Sequence, residues 1–167
     1  MEGVPNKPAF LAWYAMLQVS TRLTERLNAE LEEQAGIPLS WFEVLAQLHW
    51  SPDECGRMGE LAENLLLSRG GVTRLIARME DAGLVRRETP ATDRRATYAH
   101  LTEAGREAFA RALPAHIGNM HRLFHAPLSE QDLADLSRIM GKVLAGELDA
   151  DVDWLIEDLE AVSQVSK

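Results

Sequence analysis

Between Pro8 and Gln34 the chain carries no glycine and no further proline. Apolar side chains recur at Phe10, Tyr14 and Leu17 and again at Leu23, Leu27 and Leu31, close to helical spacing. The stretch predicts one helix of ~27 residues, ~40 Å long. A helix of that length outruns the core of a small domain and gains little stability from propensity alone. It must pack against something distant in sequence or in another chain. Gly36 and Pro38 end it.

Downstream the elements are shorter. Ser40-Trp41-Phe42-Glu43 reads as a capping box opening a helix from Trp41 to His49, with Phe42, Leu45 and Leu48 turned inward. Ser51 to Gly56 is a polar loop. A third helix, Met58 to Leu66, buries Met58, Leu61, Ala62 and Leu65. Ser68 can cap a fourth, running to about Asp81, with Val72, Leu75, Ile76 and Met79 on one stripe and Gly83 as its stop. Leu84–Glu88 and Ala96–Leu101 read as two strands joined by the turn-rich Thr89-Pro90-Ala91-Thr92-Asp93-Arg94-Arg95. Thr102 begins a long helical stretch to about His125, which Pro114 should kink or split. Ser129-Glu130-Gln131-Asp132 caps a last helix with Leu133, Leu136, Ile139, Met140, Val143 and Leu144 inward. From Glu147 to Glu160 there are seven acids and no base, interleaved with Trp154, Leu155, Ile156 and Leu159, which predicts a short amphipathic helix.

The 167 residues fit one domain, or one domain with an oligomerisation extension, at 46% hydrophobic and 26% charged. One cysteine excludes an intramolecular disulfide framework and a multi-cysteine metal site. No apolar run approaches the ~20 residues of a membrane span. The first eight residues lack a secretory pattern, so a reducing cytoplasm is the expected location. Net charge is −9, yet residues 66–99 hold seven arginines (Arg69, Arg74, Arg78, Arg86, Arg87, Arg94, Arg95) against four acids. A basic island in an acidic body suits a confined anion-binding face, and equally a solvated arginine-rich surface.

Helix, loop, helix and two-stranded hairpin, in that order, describe a winged helix-turn-helix. The fold class is mainly α with a small β-hairpin wing. The second helix of such a module must carry small or polar residues in its first turns to lie deep in a major groove. Here those turns offer Ser68, Arg69, Gly70, Thr73 and Arg74, while Val72, Leu75 and Ile76 face the core. Paired glycines cost about 1 kcal/mol each in a helix interior. Close backbone approach to DNA would justify that cost; tight intramolecular packing is the competing account, stronger for Gly71 than for Gly70. Arg94 and Arg95 sit at the hairpin tip, where arginine suits the negative potential of a minor groove. Asp93 has the wrong charge for DNA and either orients Arg95 or closes the turn.

The stretch Met58-Gly59-Glu60-Leu61-Ala62, then Leu67 to Ile76, then Met79 to Arg87, followed by Asp93-Arg94-Arg95 and Leu101-Thr102-Glu103-Ala104-Gly105, resembles the MarR family of transcriptional regulators. The Asp-x-Arg of the wing and the Leu-Thr-x-x-Gly after it are the most specific pieces, and the likeness extends to about residue 146. It implies a homodimer whose first and last helices interleave, binding a palindromic duplex DNA operator as a repressor released by a small ligand or oxidant. By that likeness residues 37–101 form the DNA-binding domain, and 1–36 with 102–167 form the helical dimerisation region. Ser68, Arg69, Gly70, Thr73 and Arg74 become major-groove candidates, and Arg95, supported by Asp93, the minor-groove arginine.

Effectors of such regulators commonly bind between the dimerisation helices and the DNA-binding lobe. Trp13, Met16, Phe42, Leu45, His49, His116 and Met120 are the expected lining, suited to an apolar anion or drug-like compound, though each alone is also a plain core residue. Trp41 to Leu45 with Arg74 and Arg86 is similar to the urate-responsive branch, with Glu43 where an Asp is expected and no extra N-terminal helix bearing a Trp. Cys55 lies beside Asp53 and Glu54, which raise a thiol's pKa and argue against a redox role. His121 and His125 are one turn apart, without the carboxylate or cysteine set that would make a metal site. No nucleophile elbow, phosphate loop or cofactor motif appears, so an enzyme is not expected. The rival reading is a winged-helix interaction module without specific DNA binding, meeting a protein through its acidic tail.

Overall fold

Helix α1 (Lys7–Ala35) runs unbroken for 29 residues and stops at Gly36, whose φ of 73° a residue with a Cβ rarely adopts. Only Leu27 and Leu31 of its stripe are buried; Phe10, Tyr14 and Leu17 stand exposed. In the computed structural model, residues 7–65, 67–90 and 96–144 are described. They divide into two units, Met1–His121 and Arg122–Lys167.

In the first unit α1 packs along α5 (Glu103–Met120) and touches α2 (Leu39–Trp50). Gln34 of α1 and the buried Asn119 of α5 exchange side-chain amide hydrogen bonds of 3.4 and 3.3 Å, which satisfies the polar group that this contact buries. The Ser40 capping box does not form. Helix α2 begins earlier, at Leu39, with Pro38 as its N-cap and no side-chain cap from its own chain segment. Asn28 supplies one instead: its Oδ1 accepts from the Leu39 N–H at 2.9 Å, so one helix caps the next.

After α2 comes a single turn, Pro52–Glu54, in which Asp53 and Glu54 both take positive φ. The next three residues, of which Cys55 and Gly56 are expected as loop, form strand β1 (Cys55–Arg57). It pairs with β3 (Tyr98–Leu101), which also pairs with β2 (Val85–Glu88), all antiparallel, so the wing is a three-stranded sheet in the order β1-β3-β2. Helix α3 (Met58–Asn64) follows directly, then α4 (Arg69–Asp81). Val72, Leu75, Ile76 and Met79 of α4 are buried with Leu48, Leu61, Val85 and Ala99, the core of this lobe. Burying an aliphatic side chain such as Ile76 contributes about 1.5–3 kcal/mol, so this stripe holds α4 in place.

The sheet and α5 meet at a joint built from four residues. Thr102 is the N-cap of α5, its Oγ1 accepting from the Gly105 N–H at 3.0 Å. The same hydroxyl lies 2.7 Å from the Gly83 carbonyl and 2.9 Å from that of Leu84, and donates to them. Gly105 presses on that turn: a Cβ there would stand 2.1 Å from the Leu84 oxygen. Pro114 neither splits nor ends α5, which continues through it to Met120 before a wide, π-type turn over His121–His125.

The second unit contains α6 (Glu130–Leu144). Ser129 and Asp132 cap it reciprocally, with Asp132 N–H to Ser129 Oγ at 3.2 Å and Ser129 N–H to Asp132 Oδ2 at 2.9 Å. None of its side chains is fully buried: of the expected inward stripe, Leu133, Leu136, Met140 and Leu144 are half-buried, while Ile139 and Val143 are 46% and 49% exposed. The wing tip with Asp93, Arg94 and Arg95, and the acidic segment after residue 144, lie outside the described residues.

Candidate nucleic-acid interface

Helix α4 divides cleanly into two faces. Opposite its buried stripe, Ser68, Arg69, Gly70, Thr73 and Arg74 are all exposed. Ser68 Oγ accepts from the Gly71 N–H at 3.1 Å, a cap of about 1 kcal/mol that fixes where the first turn begins. Thr73 donates its hydroxyl proton to the Arg69 carbonyl at 2.7 Å, which leaves its methyl and oxygen lone pairs to meet a partner. The two glycines differ. A Cβ on Gly71 would lie 3.2 Å from Ser68 Oγ, so tight local packing accounts for it. A Cβ on Gly70 would meet only Arg74 Nη1 at 3.7 Å, so the missing side chain bares the backbone and gives the Arg74 guanidinium room to lie back along the helix.

Internal partners sort the arginines of the basic island. Glu80 accepts from the Arg87 backbone N–H at 2.7 Å and from its Nε at 2.6 Å, and those hydrogen bonds hold its carboxyl below the ordinary range. Arg86 pairs with Glu88 and lowers that carboxyl likewise. Arg78 sits over the Trp41 ring, 6.0 Å from its centroid. These three serve the fold. Arg69 and Arg74 have no ion pair among the described residues, and neither does Arg57 at the end of β1. Arg57 lies outside the arginine-rich window and was missed on charge counting. Its position immediately before the first helix of the helix-turn-helix is the signal that could have found it. A cleft of about 500 Å³ joins Arg57, Glu60, Glu63 and Arg69 to Ala96 and Thr97 at the foot of the hairpin.

A model of the MarR family matches residues 35–96. AbsC, a MarR family transcriptional regulator of Streptomyces coelicolor, is 30% identical over 95% of this chain and 99% of its own, with a TM-score of 0.77. The chain belongs to the MarR family. A second MarR family regulator of Streptomyces coelicolor, crystallised in complex with DNA, is 29% identical with a TM-score of 0.81, covering 90% of this chain and 97% of that one. An uncharacterised HTH-type transcriptional regulator of Bacillus cereus is 29% identical over 138 residues, 83% of this chain and 90% of its own length. The protein is thus a DNA-binding transcriptional regulator with a winged helix, and these relatives are regulators, not enzymes.

The MarR fold brings some of the expected effector residues together. Phe42 and His116 have ring centroids 4.4 Å apart, and Phe42 and Phe109 5.5 Å. His49 lies 4.7 Å from Phe109, and Trp50 packs edge-on against the same ring at 5.5 Å. Phe109 and Trp50 were not singled out from the sequence, although Phe109 lies seven residues before His116 on one helix. Burial lowers the His116 pKa, and its Nδ1 has no hydrogen-bond partner among the described residues. Leu45 is wholly buried, Met16 and Met120 are half-buried, and Trp13 is 56% exposed without a ring contact to the cluster. Glu43 meets neither Arg74 nor Arg86, so the carboxylate–arginine link of the urate-responsive pattern is not made within the chain.

Cys55 Sγ lies 3.6 Å from His100 Nε2, and burial, reinforced by Asp53, Glu88 and Glu60 against Arg86, pushes the thiol up. Among the described residues no group of three His, Cys, Asp or Glu could hold a metal ion. No helix among them is long and apolar enough to cross a membrane.

Proposed function

We propose that this protein is a homodimeric, cytoplasmic repressor that reads a palindromic DNA operator and releases it when a small, flat, largely apolar effector binds. The observation that carries the reading is the two-faced α4: a buried aliphatic stripe behind Ser68, Arg69, Gly70, Thr73 and Arg74, with both arginines unpaired. A guanidinium free of internal partners can give its paired donors to a guanine edge, a contact that discriminates by about 1–3 kcal/mol. Asp93, Arg94 and Arg95 complete the interface from the hairpin loop in this reading. The exposed Phe10, Trp13, Tyr14 and Leu17 of α1 support a dimer, since a monomer would leave that stripe to water. The rings around Phe42 and His116, with Trp13, Met16, Leu45, His49 and Met120, are the proposed effector lining.

The test uses Arg74→Ala and Arg95→Ala against an operator selected with the wild-type protein. A homodimer loses the contact twice, so either variant should bind at least about 30-fold more weakly while its helix content and dimer mass stay unchanged. Unchanged affinity in both variants would refute the assignment of the interface.

A further inference from the structure

The cleft of about 500 Å³ is lined by Arg57 and α3, by Arg69 at the start of α4, and by Ala96 and Thr97 at the foot of the hairpin. Arg57 is fixed to the hairpin through the backbone. It stands opposite Tyr98 in the β1–β3 ladder, and the next residue, Met58, donates its N–H to the Thr97 carbonyl at 3.0 Å. Arg69, which lines the same cleft, opens α4. Both side chains are exposed, and neither pairs with Glu60 or Glu63, which line the same cleft.

A duplex that takes α4 into its major groove and the hairpin into the adjacent minor groove has one forced feature. The sugar-phosphate strand separating those two grooves must pass between α4 and the hairpin, where this cleft lies. Resting on the DNA-binding reading above, we propose that Arg57 anchors a phosphate of that strand and so sets the register in which α4 meets the bases. The four charges of the cleft cancel formally, so it draws duplexes weakly at long range. A phosphate held there gains from direct contact with the guanidinium, which positions the strand without reading its sequence. Glu60 and Glu63 repel phosphates that sit elsewhere along the cleft.

The experiment follows binding of the full-length dimer to a selected operator and to a shuffled duplex, by fluorescence anisotropy over a range of salt concentrations. Wild type is compared with Arg57→Gln and Arg57→Lys, after thermal melts establish that all three fold alike. Each phosphate contact contributes about 0.9 to the slope of log affinity against log salt, so Arg57→Gln should lower the operator slope by about 1.8 per dimer. It should weaken both duplexes by a similar factor, and Arg57→Lys, which keeps the charge, should retain the wild-type slope. An unchanged slope in Arg57→Gln, a loss confined to the operator, or a slope in Arg57→Lys as low as in Arg57→Gln would each overturn the assignment alone. Wild-type protein showing no salt-dependent duplex binding would overturn the DNA reading beneath it as well.

Discussion

At the scale of single residues, Gly105 sets two effects against each other. Helix propensity favours alanine over glycine by about 1 kcal/mol inside a helix. At Gly105, however, a Cβ would stand 2.1 Å from the Leu84 oxygen, and that oxygen is held by the Thr102 N–H at 3.2 Å and the Thr102 hydroxyl at 2.9 Å. The overlap should win. We expect Gly105→Ala to lose about 2–3 kcal/mol in urea denaturation, while Gly118→Ala, with open space around the same atom, stays level or gains. Equal stability of the two variants would contradict this account of the joint. The Leu-Thr-x-x-Gly motif was thus legible as a pattern, but its reason, a carbonyl from a distant turn, was not. His116 gives a second test. Burial favours its neutral form, so its folded pKa lies below the ordinary histidine value of 6.5. The unfolded chain then binds the proton more readily, and stability falls as pH drops below 6.5 until the folded pKa is passed. His116→Phe, which keeps a ring against Phe42, should remove that component, seen as a flatter pH dependence of the urea midpoint than wild type.

At the scale of elements, periodicity and caps located the helices well where the information is local. The α4 stripe, its Ser68 cap, the Gly83 stop and the start of α5 at Thr102 all stand where spacing puts them. Misses came where a tertiary partner decides. In place of the Ser40 box, Asn28 of α1 accepts from the Leu39 N–H, a partner that no window around residue 40 contains. Strand β1 is three residues long, too short for any alternation, and exists because β3 offers it a free edge. The split that Pro114 could cause does not occur: α5 runs on through it to Met120, packed on both α1 and α2. The first half of α1 makes a prediction of its own. Phe10, Trp13, Tyr14 and Leu17 are 52%, 56%, 52% and 42% exposed. Charging that stripe with Trp13→Glu and Leu17→Glu together should convert a dimer to a monomer by sedimentation and abolish tight operator binding. A double variant that stays dimeric would place the interface elsewhere.

At the scale of the whole molecule, charge is segregated by function. A chain of net charge −9 resists non-specific binding to nucleic acid. The few arginines without internal partners then decide where a duplex can be held. The basic island was visible in the sequence; its division into Arg78, Arg86 and Arg87, which serve the fold, and Arg69 and Arg74, which do not, needed coordinates. Arg57 lies outside that island, so charge counting passes over it, although its place just before α3 marks it. On the proposed function, this surface reads a specific DNA sequence as a dimer. Selection of bound duplexes from a random pool by the full-length protein, with affinity then followed against salt, tests it most directly. The account predicts an enriched inverted repeat with half-sites about one helical turn apart and an affinity that falls steeply with salt. Recovery of no common sequence, or of binding equal to that of a shuffled duplex, would contradict it.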